Sequence, residues 1–268
     1  MSELEYNAES ISREINTKWA GKTVHFAEEM GSTNEWCKIL SAENEKHGTL
    51  AVTGFQSAGK GRLGRSWSAP KGSSIAMSIM LRPDFEPRFA SMLTLVMGLS
   101  VTQAIGELGI DVSIKWPNDV VVSRKKICGI LTEMRLDGDK IREVIIGVGI
   151  NVNLDLIPDE LRDKATSLYL ETGVMYDRNR LIGLIMQNFE KNYEKFIKTC
   201  DLSLMIDDYN MVLANKNQPV RILDKLAPFE GVAIGIDREG ELLVRVNDGE
   251  IRKVCSGEVS VRGLYSYV

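Results

Sequence analysis

The spacing of apolar positions divides the chain into a long part with helices and strands and a short part with strands alone. In the long part, helical spacing or capping residues predict helices at residues 3–19, 32–45, 88–108, 177–198 and 201–214. Apolar or alternating runs predict strands at residues 24–26, 49–55, 73–81, 112–115, 120–122, 126–135 and 141–151. The strand at 73–81 has the alternation of a half-buried strand, and D-G at 137–138 predicts a hairpin. The mixture predicts an α+β fold with a mixed, mostly antiparallel sheet and packed helices.

The pattern changes after a polar segment, NKNQP at residues 215–219, which has the composition of a linker. Short β runs follow at residues 220–223, 231–236, 241–246 and 251–254, with turn signals between them. Short strands at this spacing predict a small β barrel, too small to be an enzyme alone. We therefore predict a first domain at residues 1–215 and a second at residues 216–268.

A glycine-rich cationic loop follows the predicted strand at residues 49–55. Three glycines alternate with three cations in this loop: Gly59, Gly61 and Gly64 with Lys60, Arg62 and Arg65. No Asp or Glu occurs between residues 46 and 83. Glycine lets the backbone approach a ligand, and arginine presents a planar fork of donors to phosphate. The loop therefore predicts an anion site, with a solvated basic loop as the alternative. It fits G-x-x-x-x-G-K, but Gly61 stands where a P-loop needs Ser or Thr, so we reject a P-loop.

Other polar residues stand at the ends of predicted elements. Ser32, Thr33 and Asn34 open a predicted helix, where Ser32 and Glu35 form a capping box and the helix N-terminus also suits a polar ligand. Lys115 ends a predicted strand and is either a strand-edge charge or a functional cation. Asp119 is a partner for Lys115, a magnesium contact or a turn residue. The GVGIN run at 147–151 lacks the third glycine of a dinucleotide fingerprint, which leaves Asn151 as its candidate polar group.

Composition narrows the class of protein. The formal net charge of −4 over 268 residues disfavours a general nucleic-acid binder. Four scattered cysteines without a C-x-x-C pair disfavour zinc and indicate reduced thiols in a cytoplasmic protein. The N-terminus is charged and has no apolar signal region. No apolar run is expected to span a bilayer, so we predict no membrane partner.

Four stretches stand in a recognisable order: GSTN at 31–34, QSAGKGRLGRSW at 56–67, KWPND at 115–119 and GVGIN at 147–151, with GEVS at 257–260 as a fifth. Together they closely resemble biotin–protein ligases (biotin–[acetyl-CoA-carboxylase] ligases), from about residue 24 onward. The loop combined with KWPND is highly specific, whereas neither alone is. Lys60 stands where Arg is common in the family, which keeps the charge. The N-terminal DNA-binding winged helix of bifunctional members is missing, so we expect a catalytic-only ligase without repressor function.

The resemblance implies a fold and a reaction. The first domain would have the class II synthetase-like fold of biotin ligases, and the second would be an SH3-like barrel. The substrates would be biotin and ATP, which give biotinyl-5′-AMP and pyrophosphate. The biotinyl group would then pass to one lysine of a biotin carboxyl carrier protein. Mg²⁺ would neutralise the ATP phosphates, but the sequence does not identify its ligands.

The resemblance also assigns residues to roles. Biotin would be bound by Ser32, Thr33, Asn34, Gln56, Gly59, Arg62, Lys115, Gly129 and Ile130. ATP would be bound by Lys60, Arg62, Arg65, Trp67, Lys115, Asn118 and Asn151. Two of these would be catalytic: Arg62 in the loop that closes over the adenylate, and Lys115, which would stabilise developing negative charge. No side-chain nucleophile is required, because biotin's own carboxylate attacks the α-phosphate.

Three other functions stay open at this point. A lipoate–protein ligase shares the fold and the adenylation chemistry, although the Arg-rich loop followed by Trp67 favours biotin. A non-catalytic biotin sensor or repressor and an inactive nucleotide-binding scaffold are the rivals from other classes. A homodimer is also open, in which a strand such as residues 141–151 pairs across the interface.

Overall fold

The protein is described by a computed structural model that covers residues 5–223, 227–256, 260–263 and 267–268. Its helices are α1 (Ala8–Glu14), α2 (Thr33–Ala42), α3 (Leu93–Gly106), α4 (Leu168–Thr172), α5 (Arg178–Thr199) and α6 (Ile206–Met211). Its strands are β1 (Val24–Ala27), β2 (Thr49–Thr53), β3 (Ser74–Leu81), β4 (Ser113–Lys115), β5 (Asp119–Val122), β6 (Lys125–Asp137), β7 (Lys140–Asn151), β8 (Pro219–Leu223), β9 (Phe229–Ile236), β10 (Leu242–Arg245), β11 (Ile251–Val254) and β12 (Ser260–Gly263). Short 3₁₀ turns lie at Arg62–Gly64, Pro87–Met92 and Asp159–Leu161.

Seven strands form one mixed sheet in the order β1-β2-β3-β7-β6-β5-β4. β1 and β2 are parallel, and the other neighbouring strands are antiparallel. The predicted fold class and the hairpin at residues 137–138 are therefore confirmed. β7 lies between β3 and β6. From Val144 to Ile150 both edges of β7 are paired, whereas residues 140–143 pair with β6 alone. Pairing across a dimer is therefore limited to those first residues, and the homodimer stays a prediction.

Helices cover both faces of the seven-stranded sheet. α3 and α5 lie on the face that carries the main core. On the other face, Cys37 and Leu40 of α2 pack against Ala51, Met80 and Ile145. Successive side chains of a strand point to opposite faces. Because helices cover both faces of the sheet, every residue of β3 is buried. The prediction of a half-buried strand here is wrong, because α2 covers the second face.

The segment Pro87–Gly106 corrects one expectation about membranes. By length and composition it is apolar enough to cross a bilayer, although we expected no such run. In the folded protein, 72% of this apolar window is buried inside the molecule. Met92 and Met97 are among its buried residues, as expected for methionines that fill a core. The segment therefore has the burial of a core helix.

The second sheet is antiparallel and five-stranded, in the order β11-β10-β9-β8-β12, and fits an SH3-like barrel. It is attached closely to the first sheet. Asn215 is fully buried, and its Oδ1 accepts the Trp116 N–H at 2.9 Å. The Trp116 indole N–H donates to the carbonyl of Gly240 at 3.1 Å. Residues 215–219 are thus not a loose linker, and the domain boundary at residue 215 stays a prediction.

Two helices are shorter than predicted, and a third was not predicted. The first covers only Ala8–Glu14, since Asn7 caps it. The one expected at residues 201–214 is limited to Ile206–Met211. α4 was not predicted, because its five residues lie in a segment without clear periodicity; Ser167 caps it by accepting the Leu170 N–H.

Candidate active site

Two glycines that face each other across the central strands make the floor of the site. Gly129 on β6 pairs with Gly149 on β7, and the indole of Trp67 lies against both. A Cβ built at Gly149 would stand 2.5 Å from Trp67 Cε2, and one at Gly129 would stand 3.3 Å from Cζ3. Such close approach requires glycine at Gly149. Gly149 of the GVG run thus leaves room for the aromatic ring.

The start of α2 forms one wall of the site. The Gln56 Oε1 atom accepts the backbone N–H of Thr33 at 2.8 Å and the Thr33 hydroxyl at 3.2 Å. Ser32 is buried but makes no capping hydrogen bond with its side chain. The predicted capping box is therefore wrong, because Glu35 pairs with two lysines instead. The side chain of Ser32 lines the cavity.

Asn34 is held by hydrogen bonds at both ends of its amide. Its Nδ2 donates to Glu133 at 2.7 Å and to the carbonyl of Leu131 at 3.3 Å. Its Oδ1 accepts the hydroxyl of Ser78 at 2.6 Å. A Cβ at Gly147 would stand 2.2 Å from this oxygen, so a second glycine of β7 is required for the amide to fit.

These groups surround a cavity with about 470 Å³ of empty space, open mouth included, a size that suits a small ligand. It is lined by Ser32, Thr33, Asn34, Gln56, Lys60, Gly61, Arg62, Trp67, Met77, Asn118, Lys126, Gly129, Ile130, Leu131, Gly147, Val148 and Gly149. Most of the predicted biotin residues are thus brought together. Gly59 and Lys115 do not line this cavity. Gly59 instead allows the loop to fold back, since a Cβ there would stand 2.4 Å from the carbonyl oxygen of Trp67.

Arg62 ties the cationic loop to both sheets. Its guanidinium donates to Asn118 Oδ1 at 2.8 Å and to the carbonyl of Ser256 at 2.6 Å. Burial lowers the pKa of Arg62, and the carboxylate of Asp119 opposes that shift. The charge of Arg62 therefore faces the site, while its hydrogen bonds hold the loop in place.

Lys60 has a carboxylate partner that the sequence hides. Its Nζ lies 2.6 Å from Glu35 Oε1, and Lys38 lies 2.8 Å from the same oxygen. Hydrogen bonds from Lys38 and then Lys60 lower the pKa of Glu35 to about 2. The loop has no acidic neighbour in sequence, but α2 supplies one in space.

A second cluster of charges surrounds Asp119. Lys126 Nζ lies 2.6 Å from Asp119 Oδ1, and Lys115 Nζ lies 4.0 Å from Oδ2. The Tyr267 hydroxyl donates to Oδ2 as well. Burial opposes ionisation of Asp119, but the charges of Lys126 and Lys115 hold its pKa below the usual range. Asp119 thus acts as an ion-pair partner, one of the three roles left open by the sequence.

Two further cavities share Trp67 with the first. The second is lined by Gly61, Arg62, Leu63, Arg65, Ser66, Trp67, Lys115, Trp116, Pro117, Asn118, Asp119, Lys126, Val261 and Tyr267. Four of these side chains are cations, which makes this cavity the best place for phosphates. The third also contains Arg65 and Trp67, and Asn151 lies there. Asn151 Nδ2 donates to the carbonyl of Thr166 at 3.0 Å.

Sequence reasoning missed several residues of the site. Lys126 and Glu133 lie on β6. The sequence pattern predicts this strand, but it does not show which distant residues its charged side chains contact. Ser78 lies inside a buried strand, and Tyr267 follows the second sheet. The GEVS motif falls largely on residues 257–259, which lie outside the described residues.

No ready metal site occurs in the described parts of the chain, where no three His, Cys, Asp or Glu side chains gather. Asp119, the carboxylate that lines the cationic cavity, is already engaged by Lys126 and Tyr267. The donor set therefore does not fit a protein-held Mg²⁺, and such an ion would need ligands from a bound phosphate.

Comparisons with known proteins agree with this geometry. Residues 27–151 match the Biotin/lipoate A/B protein ligase family, and residues 217–262 match the Biotin protein ligase C terminal domain. The bifunctional ligase/repressor BirA of Bacillus subtilis is 38% identical over 252 residues, which cover 92% of this chain and 76% of that protein. The biotin–[acetyl-CoA-carboxylase] ligase of Mycobacterium tuberculosis is 31% identical, with 85% of each chain covered.

A solved structure supports the same relationship. The biotin protein ligase from Aquifex aeolicus, in complex with biotin and ATP, superposes with a TM-score of 0.80 at 34% identity. The match covers 90% of this chain and 99% of that one. With its glycine floor, its cationic loop and these relatives, the chain belongs to the biotin–protein ligase family of enzymes.

Proposed function

We propose that this chain makes biotinyl-5′-AMP from biotin and ATP and transfers the biotinyl group to one lysine of a biotin carboxyl carrier protein. The observation that carries this proposal is the contact between two cavities. The first is closed by α2 and the glycine floor, and the second is cationic; Arg62, Trp67, Asn118 and Lys126 line both. A small carboxylic acid in the first cavity would meet the α-phosphate of a nucleotide in the second.

The first step is the attack of biotin's carboxylate on the α-phosphate. An oxygen–phosphorus bond forms, the bond to the β-phosphate oxygen breaks, and pyrophosphate leaves. Lys115 and Arg62 stabilise the negative charge that develops, since both are held in place before the reaction and Lys115 is buried. Mg²⁺ would be held by the phosphates of ATP rather than by side chains of this chain, and it would neutralise part of their charge.

The second step needs no nucleophile from this chain. The amine of the carrier lysine attacks the acyl carbon of the anhydride, AMP leaves, and the lysine nitrogen loses a proton to solvent. The cationic loop keeps water from the anhydride until the carrier arrives.

The remaining predicted contacts belong to this proposal. The walls built by Ser32, Thr33, Asn34 and Gln56 bind biotin, with Gly129 and Ile130. Gly59, predicted as a further biotin residue, acts through the fold of the loop. Lys60, Arg65, Asn118 and Asn151 bind the nucleotide. Trp67 adds a specific argument for a ligand. Its indole N–H is buried and has no hydrogen-bond partner in the part of the chain that the structure describes, and a bound nucleotide would satisfy it.

The proposal includes no repressor role, a cytoplasmic location and no DNA or membrane partner. The net charge of −4 supports the first point, since sequence-independent DNA binding depends on cations that neutralise phosphates. A gel-shift assay with genomic fragments, with and without biotin and ATP, tests it. Whether the protein is a homodimer is settled by sedimentation.

The central test is pyrophosphate–ATP exchange with the purified protein, run with biotin or with lipoate. Exchange that requires biotin, followed by biotinylation of a carrier domain at one lysine, supports the proposal. Exchange with lipoate alone would replace the substrate and keep the reaction. No exchange with either substrate, from folded protein with magnesium, would overturn the enzymatic proposal.

A further inference from the structure

Tyr267 lies in contact with the charged centre of the site, although no motif of the chain contains it. Its ring centroid is 3.8 Å from Lys115 Nζ, and its hydroxyl donates to Asp119 Oδ2. It lines both the second and the third cavity. One side chain thus touches the proposed catalytic cation and the carboxylate beside it.

The surroundings of Lys115 explain why an aromatic ring matters there. The lysine is only 5% exposed, and its carboxylate neighbour Asp119 is 4.0 Å away and also bound to Lys126. A lysine ammonium is a point charge on a flexible stem, so its position must be fixed by its neighbours. A ring face attracts a cation, and more strongly where water is excluded.

The hydroxyl of Tyr267 fixes the ring in turn. Because it donates to Asp119, the same carboxylate orients both the ring and the ammonium. Lys115 is thereby held between Asp119 and the ring face, at the edge of the cavity that it lines with Arg62 and Arg65.

We propose that Tyr267 is a positioning residue for adenylation, which holds the Lys115 ammonium toward the reacting phosphate through its ring. This inference rests on the proposed function. The rival explanation is anchoring: the neighbouring Val268 is 3% exposed, and Arg124 donates to its carbonyl at 3.0 Å. Anchoring needs apolar bulk at position 267, whereas positioning needs an aromatic ring.

Two substitutions separate these explanations. Tyr267→Phe keeps the ring and removes the hydroxyl, and Tyr267→Leu keeps apolar bulk and removes the ring. Tyr176→Phe is the matched control, because it removes a tyrosine hydroxyl, bound to Thr172, away from these cavities. The readouts are kcat and KM for ATP in biotin-dependent pyrophosphate exchange, with the melting temperature of each variant.

We expect Tyr267→Leu to lower kcat about 3- to 30-fold relative to Tyr267→Phe, a range that spans exposed to desolvated cation–π contacts. KM for ATP should change far less, because the interaction acts as charge develops. Equal kcat in the two variants, or a rise in KM alone, overturns the inference. Failure of the wild type to exchange pyrophosphate with biotin overturns the proposed function instead.

A measurement on the unmodified protein covers the case in which Tyr267→Leu does not fold. The ring should shift the ε-methylene protons of Lys115 upfield in a spectrum of lysine-labelled protein, and Lys115→Arg assigns that signal. An upfield lysine signal that disappears in Lys115→Arg supports the contact. A spectrum in which that substitution removes only an unshifted signal overturns it, whatever the enzyme's substrate.

Discussion

Single glycines decide how closely side chains approach the floor of the site. Gly149 faces the Trp67 indole, and Gly147 faces the Asn34 amide, at separations that no Cβ tolerates. Neither glycine lies in a turn, and the structure gives neither a positive φ. These glycines are therefore required because they lack a side chain, not because of their backbone conformation. The Trp67 indole and the Asn34 amide occupy the space that a Cβ would fill.

Gly149→Ala is expected to displace the Trp67 indole. The new methyl group would stand 2.5 Å from Cε2, so we expect a loss of stability of about 1–3 kcal/mol and weaker ATP binding. Urea unfolding and the KM for ATP measure the two effects. Gly106→Ala is the control, since no atom outside its own helix lies within 4 Å of a Cβ there; it should be neutral or slightly stabilising. Wild-type values for Gly149→Ala would contradict the close contact.

At the scale of elements, α2 and α5 begin in different ways. Asp177 caps α5 and accepts the Asn179 N–H at 2.9 Å. Ser32 precedes α2 without such a bond, which leaves its hydroxyl to the cavity. Both residues are of types that favour the N-cap position. Asp177 stabilises its helix there, whereas Ser32 belongs to the binding site.

Ser32→Ala and Asp177→Ala should therefore differ. We expect Asp177→Ala to cost about 1 kcal/mol of unfolding free energy, because a helix cap is lost. Ser32→Ala should cost clearly less and should weaken biotin binding instead. Urea titration and calorimetric titration with biotin measure the two quantities. A larger stability loss for Ser32→Ala than for Asp177→Ala would restore the capping interpretation.

The link between α2 and the cationic loop depends on pH. The pKa of Glu35 falls from 4.5 to about 2 on folding. Between these values the unfolded chain binds more protons than the folded one, so this contribution to stability exists above about pH 4.5 and disappears toward pH 2.

Glu35→Gln should remove part of the acid-side slope of unfolding free energy between pH 4.5 and 2. Lys60→Met should remove a smaller part, because Lys38 remains as a partner. Denaturant titrations across this range, for both variants and the wild type, give the slopes. An unchanged slope in Glu35→Gln would show that the ion pairs do not persist in solution.

At the scale of the whole molecule, the two sheets meet at the site. Arg62 donates hydrogen bonds to Asn118, beside the first sheet, and to Ser256, which follows strand β11. Trp116 reaches Gly240, and Tyr267 reaches Asp119. The second sheet therefore contributes to the site itself, although its strands are too few to form an enzyme.

Arg62→Gly should release the adenylate before the carrier binds, because both hydrogen bonds that hold the loop are lost. Free biotinyl-5′-AMP would then label lysines of unrelated proteins. Mass spectrometry of serum albumin incubated with the variant, biotin and ATP measures this labelling. Arg238→Gly, on an exposed turn beside Glu239, should stay selective. Carrier-selective labelling by Arg62→Gly would contradict this role of the loop.

Much of this protein follows from its sequence, for local reasons. Apolar runs identify β2 and β7, because all residues of β2 and most of β7 are buried. The cap at Asp177 identifies the start of α5. The cationic loop and the KWPND segment predict an anion site. Glycines let the backbone approach a ligand, and the cations of both segments attract negative charge. Short elements such as α4 were not predicted, because five residues span too few turns to show a helical period.

The sequence by itself determined the α+β class, the candidate residues and the sign of charge at the site. Only the tertiary structure decided how those charges are paired: Glu35 reaches Lys60 across 25 residues, and Tyr267 reaches Asp119 across 148. Periodicity reports which face of an element is buried, but not which side chain of a distant element it meets. The burial of β3 on both faces and the loss of the Ser32 cap have the same origin, since each depends on neighbours far away in the chain.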